Sequence, residues 1–172
     1  MAAAPDRPAT AEPATPTATG TATATGTPTS SVPPTAPPRP QLPAVAQIAG
    51  ANGALDNYQS EDKDGNMVGT YFVNGTAAQQ WRLDKVVEGM YYLRNASSNY
   101  TKALDQDRKS GLVQIWSSPP ADWNQVWAIA PVLGGYRISN VATQLCLTSE
   151  GIGVSTHVAN CSGAQNQVWT FS

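Results

Sequence analysis

Aromatic side chains are missing from the first 43 positions of this 172-residue chain, where there is no Phe, Trp or Tyr; all 5 Trp, 6 Tyr and 2 Phe follow. The same stretch holds 11 of the 14 prolines and four charges, Asp6, Arg7, Glu12 and Arg39. Ala, Thr and Pro fill most of the rest. Such a segment cannot bury enough apolar surface to offset an ordering cost of about 1–2 kcal/mol per backbone residue. Residues 1–43 are therefore expected to form a disordered, extended spacer joining the remainder to an upstream module, or else an inert tail. Histidine is nearly absent, with His157 the only one, and cysteine is limited to Cys146 and Cys161. This poor supply argues against Cys/His or Ser/His/Asp catalysis. No metal-ligand cluster and no phosphate-binding glycine loop is present, so neither cofactor nor metal is expected. Long apolar runs are also lacking: Met1 leads into Ala-Ala-Ala-Pro, with no signal-peptide core and no membrane span. Positive charge is in no excess either. Residues 44–172 carry 8 Lys/Arg against 10 Asp/Glu, which disfavours nucleic acid and anionic membranes as partners.

What remains is 129 residues, enough for one domain with a real core. No stretch holds helical periodicity for three turns. Short runs of Tyr, Val, Ile, Leu and Trp alternate with Gly, Asn, Asp and Ser clusters, which reads as all-β. Within this pattern Gln-x-Trp occurs three times, at Gln79-Gln80-Trp81, Gln125-Val126-Trp127 and Gln167-Val168-Trp169, with Trp spacings of 46 and 42 residues. Other landmarks recur in step. Ala54-Leu55-Asp56, Ala103-Leu104-Asp105 and Cys146-Leu147-Thr148 match one another, as do Tyr91 to Asn95 and Tyr136 to Asn140, and Val68 to Tyr71 and Val113 to Trp116. The first copy has Ile48-Ala49-Gly50 where the others have Tyr-x-Leu/Ile-x-Asn. One structural unit of about four short strands is thus built three times, over about residues 44–86, 87–132 and 133–172. A single unit cannot cover its own apolar face, so three are expected to pack about a shared axis, with Trp81, Trp127 and Trp169 in the core rather than on a ligand.

Cys146 and Cys161 fall inside the third repeat, 15 residues apart. That separation across a hairpin suits a disulfide worth about 3 kcal/mol, or else two buried free thiols. A disulfide beside a Thr/Pro spacer points to an oxidising, extracellular compartment.

The threefold Gln-x-Trp, the Leu-Asp step and the cysteine pair resemble the ricin-B-type β-trefoil lectins and the trefoil carbohydrate-binding modules attached to bacterial glycoside hydrolases. The resemblance covers about residues 44–172 and implies a β-trefoil with pseudo-threefold symmetry, no catalysis and a glycan as partner. Galactose-type sugars and xylan are the ligands it suggests.

Sugar binding sets a defined chemical problem. A pyranose offers an apolar C–H face, which an aromatic ring covers, and hydroxyls, which a carboxylate accepts through charge-assisted hydrogen bonds. The family solves it with an Asp after Leu, a Gln two residues before an aromatic, that aromatic, and an Asn-Gln pair opening Gln-x-Trp. The second repeat holds the full set. Asp105 is expected to accept hydroxyl protons, Trp116 to stack on the sugar, Asn124 to bond a ring hydroxyl, Gln125 to orient Asp105 and Gln114 to support the wall. Trp123 either adds a second apolar wall or packs under the Pro119-Pro120 loop. The first repeat keeps Asp56, Tyr71 and Gln79 but has Gly69 and Ala78 for the other two, so a weaker site is expected. The third has Thr148 for the Asp, with Ala159 at the aromatic position and His157 at the first Gln position; it is expected to be silent.

Asp62-Lys63-Asp64-Gly65-Asn66 resembles the opening of a calcium loop, but Gly65 comes one place early and Val73 stands where a bidentate Glu belongs. A hairpin turn fits better. Asn74, Asn95, Asn99 and Asn160 open Asn-x-Ser/Thr sequons. Asp107 lies near Asp105 but is expected to face solvent, leaving no carboxylate pair for glycoside hydrolysis. The resulting expectation is a secreted, non-catalytic carbohydrate-binding domain that targets an attached module to a glycan. The alternative is an inhibitor-like trefoil that binds protein and no sugar.

Overall fold

A computed structural model describes residues 41–118 and 122–172. The spacer expected over residues 1–43 lies, up to residue 40, outside the described residues. Packing against the core already begins at Leu42, and the Ala44 carbonyl accepts from Leu83 N at 2.8 Å.

The described residues form twelve strands and five short 3-10 turns, with no α-helix. The first repeat supplies β1 (Val45–Gly50), β2 (Gly53–Asn57), β3 (Asn66–Tyr71) and β4 (Gln80–Val87). The second supplies β5 (Met90–Asn95), β6 (Lys102–Gln106), β7 (Val113–Ser117) and β8 (Val126–Val132). The third supplies β9 (Gly135–Asn140), β10 (Cys146–Thr148), β11 (His157–Ala159) and β12 (Trp169–Phe171). The first and last strands of each repeat close a six-stranded antiparallel barrel in the order β1-β4-β5-β8-β9-β12, with β12 returning to β1. Closure leaves the barrel without a free edge. The middle strands of each repeat form three hairpins, β2–β3, β6–β7 and β10–β11. These meet one another through the β3–β7 pairing and through isolated bridges Gly69–Ser155 and Leu112–His157. A barrel capped by a triplet of hairpins is the β-trefoil, as the repeats imply.

The tryptophans explain why the repeat spacing is kept. Trp81, Trp127 and Trp169 are all buried. Each indole N–H donates to the carbonyl of the leucine on its own hairpin: Trp81 to Leu55 at 3.0 Å, Trp127 to Leu104 at 2.9 Å, Trp169 to Leu147 at 3.1 Å. The ring supplies apolar area at about 25 cal/mol per Å², and the N–H removes the cost of an unpaired buried donor. Each tryptophan thereby ties a barrel strand to a cap hairpin. Around them pack Ile48, Leu93 and Ile138 from the barrel and Leu55, Leu104 and Leu147 from the hairpins.

The shortened start of the first repeat also has a physical reason. Gly50 occupies the register position of Asn95 and Asn140, opposite a core tryptophan. A Cβ there would stand 3.1 Å from the Val168 carbonyl oxygen and 3.2 Å from the Trp169 ring. The two asparagines instead donate to the carbonyls of Ala78 and Asn124, at 2.9 and 2.8 Å.

In the third repeat, Cys146 and Cys161 form a disulfide. It ties β10 to the chain just beyond β11, where both strands have only three residues. Asp62 to Asn66 is a turn, not an ion cradle. Asp64 accepts from Ser117 N at 2.6 Å and from Lys102 Nζ at 2.9 Å, and Gly65 adopts φ +82°.

Candidate functional site

The β6–β7 register places the candidate residues of the second repeat side by side. Asp105 pairs with Gln114, Leu104 with Ile115 and Ala103 with Trp116. Because side chains alternate along a strand, Asp105, Gln114 and Trp116 share the outer face, while Leu104 and Ile115 point into the core. The same register in the other hairpins pairs Asp56 with Gly69 and Ala54 with Tyr71, then Thr148 with His157 and Cys146 with Ala159. The three positions therefore hold Asp, Gln and Trp in the second repeat; Asp, Gly and Tyr in the first; Thr, His and Ala in the third.

Asp105 is only 2% exposed. Gln114 Nε2 donates to its Oδ1 at 3.0 Å and Asn124 Nδ2 to its Oδ2 at 2.6 Å. A carboxylate offers about four lone-pair sites, so each oxygen retains capacity for a hydroxyl. Burial raises the Asp105 pKa above the ordinary aspartate value; hydrogen bonds from Gln114 and, more weakly, Gln125 oppose this, while Asp122 and Asp107 add to it. Trp116 stands over this carboxylate's strand, 43% exposed. Together with Asn124 they line an open pocket of about 420 Å³.

The expected roles shift in detail. Asn124 holds the carboxylate with its amide nitrogen, leaving Oδ1 toward the pocket with Arg108 Nη2 3.5 Å away. Gln114 is a carboxylate partner rather than only a wall. Gln125 bonds mainly the Ser117 carbonyl, at 3.2 Å, next to Trp116. Its Oε1 is buried with no partner among the described residues. In the other repeats that oxygen accepts the backbone N–H five residues earlier, from Asn74 and from Ser162, each at 2.9 Å. The corresponding residue here is Pro120, which has no N–H to give.

Residues not anticipated from the sequence also frame the pocket. Arg108, Lys109, Gln106 and Asp122 line it. Asp107 lines it too, but its oxygens are taken by its own turn, by Ser110 Oγ at 2.6 Å and Lys109 N at 2.9 Å, and these bonds hold its pKa below the ordinary value. Behind Trp116 sits Gly65 of the first repeat, where a Cβ would lie 3.5 Å from the ring. Asp64, bonded to the Ser117 N–H, braces the residue after Trp116. The sequence offered no signal for this contact, since it crosses between repeats.

In the first repeat, Gln79 Nε2 bonds Asp56 Oδ2 at 2.9 Å and the Phe72 carbonyl at 2.8 Å. Burial raises the Asp56 pKa, opposed by that Gln79 bond. Asp56 and Tyr71 line an open pocket of about 560 Å³ with Tyr58, Asn74, Thr76 and Ala78. Gly69 is required by packing: a Cβ there would stand 2.6 Å from the Val154 carbonyl oxygen of the third repeat. The missing Gln thus reflects a loop from a neighbouring repeat. Tyr58 and Asn74 line that pocket beside Ala78, whose methyl group offers no hydrogen bond. Tyr58 leads into Gln59 and Ser60, two left-handed residues at φ 53° and 56°.

In the third repeat, Gln167 Nε2 spends its hydrogens on Thr148 Oγ1 and the Asn160 carbonyl, both at 3.0 Å. No carboxylate stands at the Asp105 position, which is Thr148, and no ring at the Trp116 position, which is Ala159. Trp123 does not line the Asp105 pocket; it lies 51% exposed on a separate cleft. The alternative that it packs under Pro119-Pro120 concerns residues outside those described. Among the described residues no group of three or more His, Cys, Asp or Glu could hold a metal ion, and no helix is long and apolar enough to cross a membrane.

The sequence matches the ricin-type beta-trefoil lectin domain over residues 44–169. No curated sequence is similar enough to the chain to count as a relative. Among solved structures, the designed threefold-symmetric protein ThreeFoil is 27% identical, covering 75% of this chain and 98% of its own, with a TM-score of 0.67. The C-terminal half of an earthworm R-type lectin, solved in complex with GalNAc, is 16% identical over 76% of this chain and 98% of its own, TM-score 0.61. An exo-beta-1,3-galactanase from Clostridium thermocellum is 22% identical over 74% of this chain but only 30% of its own, TM-score 0.67. At those last two identities the likeness shows the fold alone. The family match spans most of the chain, and the chain belongs to the ricin-type β-trefoil lectin domains.

Proposed function

We propose that this domain binds a glycan, without catalysing its hydrolysis, through the Asp105 pocket of the second repeat. The observation that carries the reading is a nearly buried carboxylate, fixed by Gln114 and Asn124, beside a half-exposed tryptophan. Burying that charge works against folding, so it is an expensive feature with no fold role that Thr148 does not fill equally well. A sugar repays the cost, since its hydroxyls donate to the carboxylate while its C–H face covers Trp116. Asp56 and Tyr71 form a second, weaker site: Asp56 has one amide partner where Asp105 has two, and Tyr71 offers a smaller face than indole.

Galactose-type sugars or xylan are the proposed ligands. The GalNAc complex of the earthworm lectin supports the first, and the galactanase shows this fold within a longer enzyme. By the same reasoning the domain is secreted and brings an attached module to its glycan, with two sites on one chain gaining by avidity. A glycan array followed by calorimetric titration of the strongest hit tests the assignment. Asp105→Ala and Trp116→Ala should each weaken the strongest isotherm at least about tenfold; unchanged binding in both sinks it. A protein-binding trefoil would instead capture a protein partner while no sugar binds.

A further inference from the structure

The second repeat carries a feature that its symmetry mates lack. The short turn that opens Gln-x-Trp begins with Trp123 here, and with Ala77 and Gln165 in the other two copies. The fold therefore does not need an indole at this position, and Trp123 leaves half of its surface in solvent. An exposed tryptophan that does not serve packing is a candidate contact surface.

Trp123 lies on a cleft of about 560 Å³ with Arg108, Val141, Ala142 and Thr143. This cleft adjoins the Asp105 pocket in three ways. Arg108 lines both. Thr143 Oγ1 donates to Gln106 Oε1 at 2.7 Å, bonding one wall of the cleft to a wall of the pocket. Trp123 adjoins Asn124 in one turn, and Asn124 Nδ2 grips Asp105. The cleft floor is held by Val141 N donating to the Val126 carbonyl at 2.9 Å. Arg108 makes no ion pair among the described residues; its one hydrogen bond there, 3.5 Å to Asn124, is long, so its other donors are available between the two compartments.

We propose that this cleft is a second sugar subsite, so that the second repeat reads a chain of at least two sugar residues rather than one. This rests on the glycan-binding role of the Asp105 pocket. One residue occupies that pocket, with Trp116 on its apolar face. The chain passes Arg108, which donates to ring or glycosidic oxygens, and the next residue lays its C–H face on Trp123. A sugar chain fits better than an apolar peptide, because the cleft shares Arg108 with a pocket built around a carboxylate and amides. The first and third repeats have Ala77 and Gln165 at the Trp123 position, so the second repeat should reward chain length most.

The probes are two graded series, xylose through xylotetraose and galactose through β-1,3-linked galactotetraose, titrated calorimetrically into the full chain. In the series that binds, affinity should rise about tenfold between the monosaccharide and the longer members. Trp123→Ala should erase that rise and leave monosaccharide affinity unchanged, while Trp123→Phe should keep part of it. Asp105→Ala should weaken binding of every length at this repeat at least about tenfold. Affinity independent of chain length, or a rise that survives Trp123→Ala, overturns the second subsite. Undiminished binding of all lengths in Asp105→Ala overturns the pocket assignment instead, and failure of both series to bind overturns the proposed ligands and the subsite with them.

Discussion

The second and third repeats share the whole apparatus of the fold and almost none of the apparatus of the site. Both bury a tryptophan whose N–H bonds the hairpin leucine carbonyl. Both bury the following-motif glutamine, Gln125 and Gln167. In the third repeat, however, the hydrogen bonds close on themselves: Gln167 donates to Thr148 Oγ1, which donates to the Cys146 carbonyl at 2.9 Å. Thr148 therefore offers a ligand no carboxylate, and its hydroxyl hydrogen is spent. In the second repeat, Asp105 accepts two amide hydrogens and still has acceptor capacity facing an open pocket. The difference separates two jobs that one motif combines. The tryptophan and glutamine hold hairpin to barrel everywhere, and function depends on which residues the hairpin presents at three outward positions.

The largest test of that separation sets two tryptophans of the second repeat against each other. Trp127→Ala removes a buried ring and its hydrogen bond, and should cost about 3–5 kcal/mol of stability. Trp116→Ala, at a half-exposed position, should change stability by about 0.5 kcal/mol or less while weakening sugar binding at the second repeat at least about tenfold. Urea unfolding midpoints for both variants measure this. A comparable loss of stability in Trp116→Ala would make that ring part of the core.

Next in size is the disulfide, which the third repeat has and the second lacks. Replacing Cys146 and Cys161 together by Ala opens a 15-residue loop and should cost about 3 kcal/mol. Sugar affinity at the Asp105 pocket should stay unchanged, because neither cysteine lines that pocket and the contact of Cys161 Sγ is to the Gln144 carbonyl, outside it. A lower unfolding midpoint with an unaltered titration is the expected pair of readings.

Asp105→Ala comes third. Losing charge-assisted hydrogen bonds of about 1.5–3 kcal/mol should weaken binding roughly 10- to 100-fold. Thr148→Ala, at the same register position in the third repeat, should leave binding untouched. The reciprocal experiment sharpens the contrast. Thr148→Asp with His157→Gln and Ala159→Trp places the second repeat's three outward residues on β10 and β11, where Asn166 and Gln167 already stand. One additional binding equivalent by calorimetry is the expected outcome.

How much of this was legible in the sequence follows from the range of each interaction. The fold was, because the repeated Trp, Leu and Gln act within one repeat at fixed separation. The register was too: Asp105 opposite Gln114 and Ala159 in the aromatic position come directly from aligned hairpins. Contacts between repeats were not. Nothing in the spacing says that Val154 leaves no room for a side chain at Gly69, or that Gly65 and Asp64 back Trp116. The partner of Asn124 was also hidden, since its place before Gln125 does not show that its amide reaches Asp105 across the hairpin. Arg108 gave no motif signal, because its importance comes from lying between two cavities. One trace was readable in retrospect: Trp123 breaks the threefold pattern of Ala77 and Gln165 at a position the fold leaves exposed.

The smallest expected effect concerns acid, and it exists only because the second repeat buries a carboxylate where the third has Thr148. Burial raises the Asp105 pKa above 3.8, the ordinary value. Between 3.8 and that raised value the folded state holds a proton that the unfolded chain has released, so the contribution of Asp105 to stability falls as pH rises through the window. It is fully present below the lower limit and lost above the upper one. Binding runs the other way, since only the ionised carboxylate accepts two hydroxyls; affinity should rise as pH rises through the same window. Asp56, also raised by burial, should add a weaker component of the same sign. Parallel melting and titration series across this window should therefore show opposite slopes, and Asp105→Asn should flatten both, leaving only the Asp56 remainder. Slopes of the same sign would mean that the proton competes with something other than the sugar.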